Sequence, residues 1–139
     1  MRHLWRALLL VLALVAGGMV AAQQEDASKG IQSVISAQIE AFRGDDVDQA
    51  FRYAADNIQQ MFGTAENFGV MVKRGYPMVQ SPAEVRFGAL RADGDALWQR
   101  VLMRDAQGVV HMLAYRMVND GDDWRISAVY LVPAEEVGA

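Results

Sequence analysis

Hydrophobic and polar positions follow two different periods along this chain. From Ile31 the apolar residues Val34, Ile35, Ile39 and Phe42 recur at helical spacing, and Gly44 stands where such a helix would stop. Asp46-Val47-Asp48-Gln49 has the form of a capping box, which predicts a short second helix turning Ala50, Phe51 and Ala54 inward. Helical spacing continues through Ile58, Met61 and Phe62 to Gly63. Thr64 then caps a helix with Phe68, Met71 and Val72 in one stripe, ending at Lys73-Arg74-Gly75. Tyr76-Pro77-Met78-Val79 is expected to be extended, because proline disfavours helix at the residue before it.

From Ala83 to Leu131 the period shortens to that of strands. Asp93-Gly94 and Asp120-Gly121 are two-residue hairpin signals, and Asp105 to Gly108 brackets a third turn around Ala106-Gln107. Consecutive hairpins predict a four-stranded antiparallel meander. With two residues in every loop, Leu90 faces Leu97, Met103 faces Val110 and Met117 faces Trp124. That register collects Val85, Phe87, Ala89, Trp98, Leu102, Leu113, Tyr115, Met117, Trp124, Ile126, Ala128 and Tyr130 on one face, together with Arg100 and His111. Such a face must be covered by the helices. The opposite face carries Glu84, Arg86, Gln99, Arg116, Arg125 and Ser127, interrupted by an apolar stripe of Val101, Met103, Val110, Met112, Val129 and Leu131. An apolar stripe rimmed by charge predicts an interface, most simply a homodimer packed sheet on sheet. A three-residue loop at Asp105 to Gly108 would turn the first two strands over relative to the last two.

Upstream, Arg2, His3 and Arg6 precede an apolar run from Ala7 to Ala16 and small residues ending Val20-Ala21-Ala22. This is the layout of an export leader. Residues 1–22 are therefore expected to be a signal peptide and residues 23–139 a single α+β domain, periplasmic or secreted. Retention of the leader as an anchor is the alternative. The whole chain carries a formal charge of −4, and without Arg2 and Arg6 it falls to −6. Such a balance, with no Lys/Arg cluster in the sequence, disfavours nucleic acid and anionic membranes as partners. Cysteine is absent, which excludes disulfides, thiolate nucleophiles and Cys-ligated metals.

Motifs for chemistry are sparse. Beyond the leader there is one histidine, His111, with no nucleophile elbow and no phosphate-cradling glycine loop. The acidic trio Asp45, Asp46 and Asp48 lacks the ligand series of a calcium loop and reads as helix capping. Met103 and Met112 fall on the opposite face from His111, so they read as packing and not as a soft-metal site. The best candidate site joins Arg100 and His111 with Tyr115 and Tyr130. A cation, an imidazole and two hydroxyls between apolar walls suit an acidic ligand or acid/base work. The structural alternative pairs Arg100 with Asp48 or Asp56 and lets His111 donate to a backbone carbonyl.

The residues Ile35-Ser36-Ala37-Gln38-Ile39-Glu40-Ala41-Phe42, Asp45-Asp46, Ala50-Phe51, Ala54-Ala55, Phe62-Gly63-Thr64-Ala65-Glu66-Asn67-Phe68, Arg74-Gly75-Tyr76 and Trp124-Arg125-Ile126 together resemble the short secreted bacterial proteins grouped as domain of unknown function 4864. The resemblance implies a layout similar to nuclear-transport-factor-2-like or cystatin-like folds, a curved sheet wrapping helices into a cone. It also implies a pocket at the cone mouth and dimerisation through the sheet. It carries no activity. Enzymes of that superfold often place an Asp–His pair in the pocket, and the sequence assigns His111 no such partner. The expectation is thus a non-catalytic module without cofactor or metal, dimeric through its open face and binding a small ligand or a periplasmic protein. The alternative is an isomerase or dehydratase with His111 as base and Tyr115 and Arg100 polarising a carbonyl.

Overall fold

The structure, a computed structural model, describes the backbone of residues 2–133 and the side chains of residues 22–133. Two compact units are present, Met1–Gly30 and Ile31–Ala139. The first is helical from Arg2, and the side chains of the expected leader up to Ala21 lie outside the described residues. Among the described residues no helix is long and apolar enough to cross a membrane.

The second unit is α+β, four helices followed by a four-stranded antiparallel sheet in the order β1-β2-β3-β4. Helix α1 (Arg2–Arg43) buries Ile31, Ile35, Ile39 and Phe42 along one side. In α2 (Val47–Arg52) the Asp46 carboxylate accepts from the Gln49 N–H at 3.1 Å, as a cap should. The reciprocal half of the expected box is missing, because the Gln49 amide donates to the Tyr53 hydroxyl instead. Helices α3 (Asp56–Phe62) and α4 (Ala65–Gly75) follow, the latter capped by Thr64 and ending in Lys73 and Arg74. Pro77–Val79 forms a single 3-10 turn that buries Met78 and Val79, not the extended segment expected. Proline restricts the residue before it, but its own fixed φ suits the first position of a helical turn.

The strands are β1 (Glu84–Asp93), β2 (Ala96–Arg104), β3 (Val110–Asn119) and β4 (Trp124–Leu131). Their loops depart from the two-residue expectation in ways that decide the faces. Between β2 and β3, Asp105 N–H donates to the Val109 carbonyl, leaving Ala106, Gln107 and Gly108 as a three-residue loop with Gly108 at φ 84°. The Asp105 carboxylate stabilises it by accepting the Gln107 and Val109 N–H groups at 3.0 and 2.9 Å. Met103 therefore pairs with His111, one step away from the expected Val110, and β2 is turned over. Val101, Met103 and Gln99 are fully buried under the helices beside Leu113, Tyr115 and Met117.

Bulges shift the outer strands. One between Phe87 and Leu90 keeps Val85 and Phe87 on the inner face and adds Leu90. The buried Gln99 amide serves it, donating to the Gly88 and Arg100 carbonyls at 3.0 and 2.8 Å. A second bulge, opposite Arg116 and Met117, keeps Ile126 inside and turns Val129 inward with it. Ala128 and Tyr130 thereby move to the outer face. Beyond β4 the connector between α2 and α3 lies parallel to the strand, with Ala55 N–H bonded to Ile126 O and Ile126 N–H to Tyr53 O.

The expected open-face stripe does not exist as a stripe. Val101 and Met103 are core residues, and Val129 packs against the core. Only Val110 and Leu131 are exposed, with Met112 half-buried. The sheet-on-sheet dimer thus loses its central residues to the interior.

Candidate ligand cavity

A cavity of about 360 Å³ lies between the helices and the β4 side of the sheet. Gln38 and Phe42 of α1, Asn57, Ile58, Met61 and Phe62 of α3, and Phe68, Met71 and Val72 of α4 form its helical walls, completed by Ala54, Tyr76 and Val79. Tyr115 and the Ile126–Tyr130 stretch form the sheet wall. Phe68 joins the walls together, lying 5.3 to 6.0 Å from the rings of Phe51, Phe62 and Phe42. Tyr115 is 1% exposed, whereas Met61 and Tyr130 are 70% and 59% exposed and mark the solvent side.

Local backbone requirements place most of the polar groups here. Asn57 donates to the Ser127 carbonyl at 2.9 Å, the Tyr76 hydroxyl to the Val129 carbonyl at 2.9 Å, and Gln38 to the Ala50 carbonyl at 3.1 Å. These bonds tie α3, the segment after α4 and α1 to the sheet edge and the α2 turn. The Tyr115 hydroxyl differs, having no hydrogen-bond partner among the described residues. Burial pushes its phenol well above the usual range, with nearby Tyr76 adding in the same direction. It is a neutral donor throughout the range in which proteins stay folded.

No aspartate, glutamate, lysine, arginine or histidine lines the cavity among the described residues, nor is there a group of acidic or histidine side chains able to hold a metal. The sequence-derived quartet is split accordingly. Tyr115 and Tyr130 reach the cavity, the latter from the outer-face side of β4, where its ring stacks on Trp98 at 5.6 Å. Arg100 lies on the outer face, because the three-residue loop turned β2 over. His111 sits at the far end of β3, its Nε2 2.9 Å from the Asp105 carboxylate. It therefore does have an aspartate partner, but the pair belongs to the β2–β3 loop and lies outside the cavity lining. Neither structural alternative holds either, since Arg100 meets no helix carboxylate among the described residues and His111 meets a side chain.

Sequence reading missed Gln38, Asn57 and Tyr76. Their signal was weak, a polar residue inside each helical stripe and a tyrosine just after a helix C-terminus. Turned to comparison, residues 23–139 match the family model described as domain of unknown function (DUF4864). No curated protein and no solved structure matches the chain.

Proposed function

From the premise that this chain belongs to the DUF4864 family, we propose that it is a non-catalytic binding module for a small, uncharged and mainly apolar molecule. The observation that carries this is the cavity of about 360 Å³ with a buried, unpartnered Tyr115 hydroxyl in its wall. Apolar walls with a few convergent polar groups are the usual form of a ligand pocket. A ligand carbonyl or ether oxygen would accept from the Tyr115 hydroxyl, which no protein group among the described residues engages. A charged ligand would enter without a counter-ion and bear the full cost of desolvation. The same lining favours binding over acid/base catalysis, since no carboxylate, imidazole or amine lines it among the described residues.

This reading takes the fold as a cone of the nuclear-transport-factor-2-like kind, supported by helices seated on one face of a bulged sheet with a cavity between the two layers. It also takes residues 1–22 as an export leader, supported by the charge, apolar run and small residues of the sequence. Mass analysis of the protein recovered from an expressing bacterium would show a chain beginning near Gln23. A full-length mass would assign the leader as an anchor.

The cavity is tested by thermal-shift titration of the purified protein with a panel of uncharged aromatic ketones, esters and alcohols, against short-chain carboxylates and amines. Uncharged members are expected to raise Tm and Met71→Trp, which narrows the space, to abolish the shift. A panel in which only ions bind, or a shift indifferent to Met71→Trp, would overturn the proposal.

A further inference from the structure

The outer face of the sheet carries a second kind of surface. The four strands hold six arginines against two acidic residues, Glu84 and Asp93, in a chain whose overall balance is acidic. Register places Arg91, Trp98 and Arg116 side by side in one cross-strand row, and Arg100 in the next. Trp98 and Tyr130, from strands either side of β3, stack above this region with ring centroids 5.6 Å apart. Glu84 neutralises Arg86 and Arg104, and Asp120 neutralises Arg125. Arg116 reaches only the neutral Ser127 hydroxyl, at 3.1 Å. Arg91 and Arg100 have no hydrogen-bond or ion-pair partner among the described residues.

Like charges on neighbouring strands destabilise a sheet, and arginine on an aromatic platform suits carboxylates bidentately. We propose that this face binds an acidic, aromatic-containing peptide segment of a partner protein, held by Arg91, Arg100 and Arg116 around the Trp98–Tyr130 stack. A short segment is favoured over a nucleic acid or an anionic bilayer by the charge around the patch. The β1–β2 and β3–β4 turns share one end of the sheet and bring Asp93, Asp95, Asp120, Asp122 and Asp123 there. Asp93 closes the patch on that side, its carboxylate accepting the Trp98 indole N–H at 3.0 Å. An extended polyanion crossing that end therefore meets repulsion, whereas a short segment can seat on Arg91, Arg100 and Arg116 without passing it. A second copy of this chain presenting the same face would oppose arginine to arginine.

The test uses the full chain and four probes: a short oligoglutamate peptide, a glutamate–tyrosine peptide of the same length, phosphatidylglycerol vesicles and a DNA duplex. The glutamate–tyrosine peptide is expected to bind most tightly, with affinity falling as salt rises. R91Q/R100Q should weaken it at least about ten-fold, whereas K73Q/R74Q, which removes the same charge from the end of α4, should leave it unchanged. Trp98→Leu should erase the advantage of the glutamate–tyrosine peptide over oligoglutamate. Equal losses in the two double variants would reduce the effect to net charge and overturn the proposal. So would tighter binding to vesicles or DNA, or no binding of either peptide.

Discussion

The two faces of one sheet show how differently the same four strands can be used. Inside, Val101, Met103, Leu113, Tyr115 and Met117 are sealed against the helices, and the buried Gln99 spends its amide N–H groups on backbone carbonyls while its Oε1 has no partner among the described residues. Outside, the alternate positions hold guanidinium groups and stacked rings, of which Arg91 and Arg100 lack an ion-pair or hydrogen-bond partner among the described residues. Strand alternation requires two faces, but it does not say which residues take which. One loop residue decides that here.

The sharpest way to break this contrast is to place a charge on each face in turn. Met103→Asp puts an unpaired carboxylate into the core and is expected to cost about 4 kcal/mol or more, enough to unfold a domain of this size. Leu102→Asp, on the outer face one residue away, should cost under about 1 kcal/mol. Urea denaturation of both variants checks the pair, and comparable losses would mean that β2 faces the other way.

A smaller effect separates binding from stability within the inner face. Tyr115→Phe removes a hydroxyl with no protein partner among the described residues, so its ligand-free midpoint should move by less than about 0.5 kcal/mol. Its affinity for an uncharged ligand should fall about ten-fold, or about 1.4 kcal/mol, measurable by calorimetry. The loop that sets the faces can be probed at Gly108, whose φ of 84° disfavours a Cβ. Gly108→Ala should cost about 1 to 2 kcal/mol by the same denaturation, with no change in ligand affinity.

The smallest effect concerns pH. Hydrogen bonding to His111, reinforced by the Val109 and Gln107 N–H groups, holds the Asp105 carboxyl below its ordinary 3.8. A depressed folded value means that its contribution is present above pH 3.8 and is lost as pH falls through the folded value. Asp105→Asn should therefore flatten part of the acid limb of a stability–pH profile. A residual slope is expected, because backbone N–H groups of Asp123 and Asp122, with Arg125, hold Asp120 low in the same direction.

The helices were legible because their signals are local. The i, i+4 run from Ile31 to Ile39, the Asp46 and Thr64 caps and the basic residues ending α4 each act within a turn or two. The β3 core residues Leu113, Tyr115 and Met117 were legible as well, since alternation inside one strand needs no partner. What failed was the relation between strands. The Asp105 carboxylate recruits two backbone N–H groups and closes three residues where a minimal hairpin closes two, and that single step exchanged Arg100 for Val101 and Met103. The bulges at Gly88 and near Ser127 are equally silent in sequence, because they depend on Gln99 and Asn57 supplying donors from elsewhere in the chain.

The pairing of the Tyr53–Ala55 connector along β4 also bears on how this protein behaves in a crowd. An exposed strand margin is a template for its neighbours, and on the β4 side the connector occupies part of it. Among the described residues the β1 margin has no such strand pairing, but it is interrupted by a bulge and carries Arg86 and Arg91. One border is guarded by occupancy and the other by misfit and charge. Both devices use only backbone hydrogen bonds and side chains already in the sheet, with no covalent fastening.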